Sequence, residues 1–124
     1  MKKIIKTEKA PAAIGSYSQA VKSGSTVYIS GQIPLNLDGD LILTNITEQT
    51  EQVLTNLSAI LEEAGGDFSN VVKATVYTDD IANFNKINQV YGKYFSENPP
   101  ARAFVEVAAL PKGVNVEIEA IAVI

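Results

Sequence analysis

The chain has 124 residues, 46% hydrophobic and 19% charged, which fits a single globular domain over 1–124 with its own core. It contains no cysteine and no histidine, so disulfides, thiolate nucleophiles, imidazole bases and the commonest metal ligands are all excluded. A formal charge of −4 and a pI near 4.7 argue against a nucleic-acid surface, and no apolar run approaches the roughly 20 residues of a membrane span.

The chain opens on its only basic cluster, Lys2, Lys3 and Lys6. No apolar stretch of the signal-peptide kind follows them, so a cytoplasmic location is expected. Strands are predicted over 3–6, 18–22 and 25–33. The loop before the second strand, Ile14-Gly15-Ser16-Tyr17-Ser18-Gln19, has one glycine and no following helix, so it is not a phosphate cradle. Tyr17 offers a hydroxyl, or packs half-buried. In the third strand Gly31 interrupts a β-branched and aromatic run, which marks a bulge or a close backbone approach to a ligand. Ser30 beside it can hydrogen-bond a substrate. With no histidine it is a poor nucleophile.

A helix is predicted over 46–64, where Ile46, Val53, Leu54, Leu57, Ile60 and Leu61 recur at helical spacing. Asn45 and Glu48 have the offset of a capping box, and Gly65-Gly66 supplies the stop. A strand over 70–78 and a helix over 81–95 follow. The second helix carries an apolar stripe of Phe84, Ile87, Tyr91, Tyr94 and Phe95. Asn88 lies on that stripe, where its amide needs partners; it either binds a ligand or ties a loop down. Two last strands are predicted over 101–108 and 114–123, with Leu110-Pro111-Lys112-Gly113 as a hairpin connection between them.

This order implies an α/β (α+β) fold, a mixed sheet with both helices on one face, in which strands joined through a helix are expected to be parallel neighbours and hairpin-joined strands antiparallel. Sorting strand residues by parity gives two faces. Val27, Ile29, Ile33, Val72, Ala74, Val76, Ala103, Val105, Val107, Val116, Ile118, Ala120 and Ala122 form an apolar set expected under the helices. The other set holds Tyr28, Gln32, Tyr77, Arg102, Phe104, Glu106, Glu117, Glu119 and Ile121. It is too apolar to sit comfortably in water and too polar for a core, which suggests burial against another subunit around a polar cleft. The alternative is a solvated face with incidental aromatics. Arg102 offers a fork of donors that matches a carboxylate, or pairs internally with Glu106, Glu117 or Glu119. Glu117 and Glu119 share a face, and one of them can serve as a general base or both can be a rim pair. They do not complete a cation cage, so no metal is expected.

Three blocks, in order, carry a wider likeness: Ala12-Ala13-Ile14-Gly15-Ser16-Tyr17-Ser18-Gln19-Ala20; Ser30-Gly31-Gln32-Ile33-Pro34; and Pro100-Ala101-Arg102-Ala103-Phe104-Val105 through Leu110-Pro111 to Val116-Glu117-Ile118-Glu119-Ala120. Together they resemble the reactive-intermediate imine/enamine deaminase family (Rid, YjgF-like). The resemblance implies a chorismate-mutase-like fold and a homotrimer with sites at subunit interfaces. It implies hydrolysis of 2-aminoacrylate, 2-iminobutyrate and similar 2-imino acids to 2-oxo acids and ammonia, with no cofactor or metal. By position, Arg102 would bind the substrate carboxylate and Glu117 would position the attacking water. Tyr17 and Ser30 would line the pocket, Gly31 and Phe104 would offer backbone contacts, and Asn88 matches a recurrent position. Ser16 stands where many members have proline, and Phe104 where well-known deaminases have cysteine; by that resemblance the ring would narrow or reshape the pocket. A non-catalytic sensor of small carboxylic acids would use the same Arg102 pocket; a ribonuclease or translation inhibitor, an activity the resemblance also implies, is disfavoured by the acidic charge and missing histidine.

Overall fold

A computed structural model describes residues 1–124. Six strands form one sheet: β1 (Lys2–Ile5), β2 (Ala20–Ser23), β3 (Thr26–Gln32), β4 (Val71–Thr78), β5 (Ala101–Glu106) and β6 (Val116–Val123), in the spatial order β1-β2-β3-β6-β4-β5. Two helices, α1 (Ile46–Glu63) and α2 (Phe84–Tyr94), join a single apolar core with one side of the sheet. The mixed α/β architecture is as expected. All pairings are antiparallel except β4 with β5.

Two expected connections are corrected. β5 and β6 are not a hairpin: β4 lies between them, and Pro111–Gly113 is a 3-10 turn within a crossover. β3 and β4 are joined through α1 but are not neighbours, because β6 inserts between them. Short sequence separation favours a hairpin. Here the central position goes to β6, whose inward Val116, Ile118, Ala120 and Ala122 are all buried.

The helices form where their patterns place them. α1 starts at Asn45, whose side chain accepts from the Glu48 N–H at 2.8 Å. Val53, Leu54, Leu57, Ile60 and Leu61 bury its inner face. Asn45→Ala should cost about 1 kcal/mol, lowering the thermal midpoint by roughly 3–6 °C in calorimetry, because one helix-start N–H loses its partner. A 3-10 turn, Ile81–Asn83, capped by the Asp80 side chain on the Ala82 N–H, precedes α2.

The sheet faces follow parity until a bulge breaks it. The register shifts between Ile29 and Gln32, so Gln32 turns inward and is 7% exposed, where Ile33 was expected. A second shift between Val71 and Lys73 turns Val71 inward and leaves Val72 49% exposed, not buried. The largest correction is β5. Its register sets Arg102 beside Ala74 and Phe104 beside Val76, two inward residues of β4. Arg102, Phe104 and Glu106 therefore face α2, and Ala103 and Val105 face the open side. β5 has a neighbour on one side only, so its free edge is open. The Val107 N–H reaches the Thr78 carbonyl at 2.8 Å. Backbone groups alternate between the two edges of a strand, so those of Arg102 and Phe104 point outward.

Candidate active site

The predicted residues separate into two groups. Tyr17, Ser30, Gly31 and Glu117 line one cleft of about 560 Å³ on the open side of the sheet, with Pro11, Gln19, Pro111 and Lys112. Arg102 and Asn88 line another of about 440 Å³, with Tyr91, Phe95, Pro99 and Pro100. Glu117 pairs across β6–β4 with Tyr77, and Tyr77 pairs with Val105 on β5. At about 4.8 Å per strand, Glu117 lies roughly 10 Å sideways from β5, and on the opposite face from Arg102.

The Glu117 cleft depends on the bulge in β3. A Cβ on Gly31 would stand 2.9 Å from the Glu117 carboxyl carbon and closer still to one of its oxygens. Glycine thus lets the carboxylate lie flat against the backbone. Burial, then the neighbouring Glu119, raise the Glu117 pKa above the usual carboxylate value. Glu119 itself accepts a 2.6 Å hydrogen bond from the Tyr77 hydroxyl, whose pKa is raised in turn. Ser30 donates its hydroxyl proton to the Ser18 carbonyl at 2.6 Å, so it presents lone pairs to the cleft. The Tyr17 hydroxyl accepts from the Ile14 N–H at 3.4 Å, which leaves its proton free to donate. No three carboxylates come together in a metal-holding group.

Gly31→Ala should push the Glu117 carboxylate away at little cost to the fold, since a flexible side-chain end is the part that yields. Thermal stability should change by about 1 kcal/mol or less. Turnover should fall by about tenfold or more if Glu117 must sit in place. Full activity in this variant would show that the close approach is incidental.

Arg102 is held differently from any expected internal pairing. No carboxylate touches it; the one salt bridge in the protein joins Lys93 to Glu51. Its Nη1 donates to the Asn88 Oδ1 at 2.7 Å. Its guanidinium carbon sits 4.8 Å from the Tyr91 ring centre, 5.6 Å from Phe104 and 5.7 Å from Phe84. Glu106 shares its side of β5 but instead accepts from the Ile81 N–H at 2.8 Å. Asn88 is exposed, not buried on the stripe, and meets Arg102 on the helix side of the sheet. Phe84, Tyr91 and Lys112 were not singled out as site residues. Phe84, Asn88 and Tyr91 are spaced i, i+4, i+7 on α2, a signal that reads as core packing until β5 is turned over.

The sequence pattern of the endoribonuclease L-PSP family matches residues 7–124. The chain belongs to this family, the Rid (YjgF, RutC) proteins. Among its Rid relatives is the 2-iminobutanoate/2-iminopropanoate deaminase of Bos taurus, 56% identical over 99% of this chain and 90% of that protein. The Rid-family protein YyfA of Yersinia pestis superposes with a TM-score of 0.97 at 48% identity, covering 100% of both chains. The Escherichia coli TdcF structure with bound serine superposes with a TM-score of 0.94 at 43% identity, covering 98% of both. The two-helix, six-stranded fold is therefore shared with both of these structures. No helix of this Rid chain is long and apolar enough to cross a membrane.

Proposed function

We propose that this protein hydrolyses small 2-imino or 2-enamino acids, such as 2-iminobutyrate and 2-aminoacrylate, to the 2-oxo acid and ammonia. The observation that carries the reading is the Arg102 guanidinium, which has no acidic partner and stands at the free edge of β5. A cation left unpaired in the fold is suited to an anion from outside, and a planar fork suits a carboxylate. The relatives named as deaminases support the substrate class.

The reaction needs no strong nucleophile, because an imine carbon is already electrophilic. Water adds its oxygen to that carbon, its proton passes to the Glu117 carboxylate, and the C=N electron pair moves to nitrogen. The proton then returns to nitrogen to give a neutral carbinolamine; its hydroxyl proton is next passed through Glu117 to the amine nitrogen as the C–N bond breaks, so that ammonia leaves and the C=O forms. Fixing the acid and the water in one geometry supplies the proximity advantage. Ser30 and Tyr17 would accept and donate hydrogen bonds at the reacting end. Phe104 and Gly31 would contribute backbone groups. The protein's own residues account for every step without a cofactor.

One chain does not bring Arg102 and Glu117 together, so the site is proposed to form between copies. The β5 edge of one subunit would meet the Tyr17–Ser30–Glu117 cleft of the next, three copies closing a ring. The open sheet face, with Tyr28, Val72, Val105 and Val123 exposed, would be covered in the same assembly. Light scattering after size exclusion should give about 40 kDa, three times 13.3 kDa. A monomer at micromolar concentration would overturn the interface site.

The decisive assay generates the imine in place, with a pyridoxal-phosphate dehydratase acting on threonine or serine. Release of 2-oxobutyrate or pyruvate should accelerate when this protein is added. A protein that binds the oxo acid but leaves the release rate unchanged would be a carboxylate sensor instead.

A further inference from the structure

We infer that Phe84, Tyr91 and Phe104 are positioning residues, an aromatic box that aims Arg102 without neutralising it. The inference rests on the proposed role of Arg102 as the carboxylate anchor. Three rings lie within 5.7 Å of the guanidinium carbon, Tyr91 nearest at 4.8 Å. They come from two elements that the fold brings face to face. Phe84 and Tyr91 lie two turns apart on one side of α2, and Phe104 lies two residues beyond Arg102 on β5. The rings are themselves braced. Phe84 packs on Phe104 at 4.7 Å between centres, and Tyr91 on Phe95 at 4.5 Å.

The chemistry of the box explains why aromatics and not acids hold this arginine. A ring face attracts a cation but accepts little of its hydrogen bonding. An internal carboxylate would occupy the same N–H fork that a substrate needs. With flat faces around the guanidinium, its N–H rim is the outlet for strong hydrogen bonds. Asn88 takes one position on that rim, at 2.7 Å, and fixes the rotation of the plane. The long side chain is therefore ordered on folding, and less rotamer freedom remains to be lost when ligand binds. The one acid on the same side of β5, Glu106, is engaged by the Ile81 N–H and so kept from the fork. The Tyr91 hydroxyl is buried without a partner, so its ring, not its oxygen, accounts for its place beside Arg102.

The experiment uses Phe84→Leu, Tyr91→Leu and Tyr91→Phe, each in the parent and in an Arg102→Ala background. Binding of 2-oxobutyrate is read by calorimetry, and KM and kcat in the coupled imine assay. Each leucine variant keeps an apolar side chain but loses the π face. Binding should weaken and KM rise by about tenfold; the thermal midpoint should change little in Phe84→Leu and fall by several degrees in Tyr91→Leu, whose ring belongs to the core. Tyr91→Phe should behave as the parent. In the Arg102→Ala background the leucine changes should add nothing to the residual kcat/KM, because their effect passes through Arg102. Parent-like binding by both leucine variants, or losses that add to that of Arg102→Ala, would overturn the box. Parent-like binding by Arg102→Ala itself would remove the anchor role and the box with it. Should one leucine variant fail to fold, the other still tests the idea, since Phe84 is only half-buried.

Discussion

Arg102→Ala is expected to weaken binding of a 2-oxo or 2-imino carboxylate by roughly 2–5 kcal/mol, about 30-fold to several thousand-fold. The substrate carboxylate would be desolvated with nothing to receive it. The fold should lose little. No internal acid pairs with Arg102, so its removal strands no buried charge, and only the contact with Asn88 and three rings is given up. Arg102→Lys should fail nearly as badly. An ammonium keeps the charge but has no plane to lie among the rings and no fork to offer. Calorimetric binding of 2-oxobutyrate, light scattering and thermal unfolding of the three proteins together decide the matter. Native-like assemblies with lost binding in both variants are the expected result. An active lysine variant beside a destabilised alanine variant would make Arg102 structural.

Glu117→Gln should reduce turnover by about 10²–10⁴ while sparing ligand binding, because an amide keeps the shape but cannot take a proton from water. The pH dependence gives a second readout. Burial and then Glu119 raise the Glu117 pKa, so the base is lost to protonation at a higher pH than an ordinary carboxylate. The acid limb of kcat/KM should therefore lie above the usual range, and it should move down when Glu119→Gln removes the neighbouring charge. The stability sign runs the other way from a paired acid. A carboxyl with a raised folded pKa binds protons more readily folded than unfolded. It disfavours the fold as pH rises through its titration. Glu117→Gln should thus be neutral or slightly stabilising at pH 7. Near-parent turnover in this variant would transfer the proton step to Tyr17 or to solvent.

The missing histidine and cysteine narrow the candidates to carboxylates, hydroxyls, amides, Lys and Arg, and Gly31 marks the break in β3. Composition left Arg102 and Glu117 open to internal pairing; the three blocks that resemble the Rid family singled out Arg102, Glu117, Ser30 and Tyr17 as the proposed site. What could not be read was their grouping. Parity assigned Arg102 to the face of Glu117 because Ala103, Val105 and Val107 form the more apolar set of β5. At a sheet edge that rule fails. A helix packed over the edge can bury Phe104 and cover the stem and faces of an arginine, while small residues turn to the open side. The bulges at Ser30-Gly31 and Val72 are a second limit. One extra residue reverses every side chain beyond it; Gly31 flags the first bulge in the sequence, but only the pairing with β6 shows where each register shifts.

The sequence by itself determined the elements, the Asn45 helix cap, the inner residues of the central strands away from the bulges and the chemical inventory, since these rest on local propensity and on periodicities of 3.6 and 2. Tertiary structure alone decided the strand order, with β6 between β3 and β4, and the side of the sheet on which Arg102 and Phe104 stand. Those depend on which distant strands share hydrogen bonds, a choice made by packing of the whole core. That choice sets Arg102, the proposed anchor, at one edge and Glu117, the proposed base, in a cleft on the other face of the sheet.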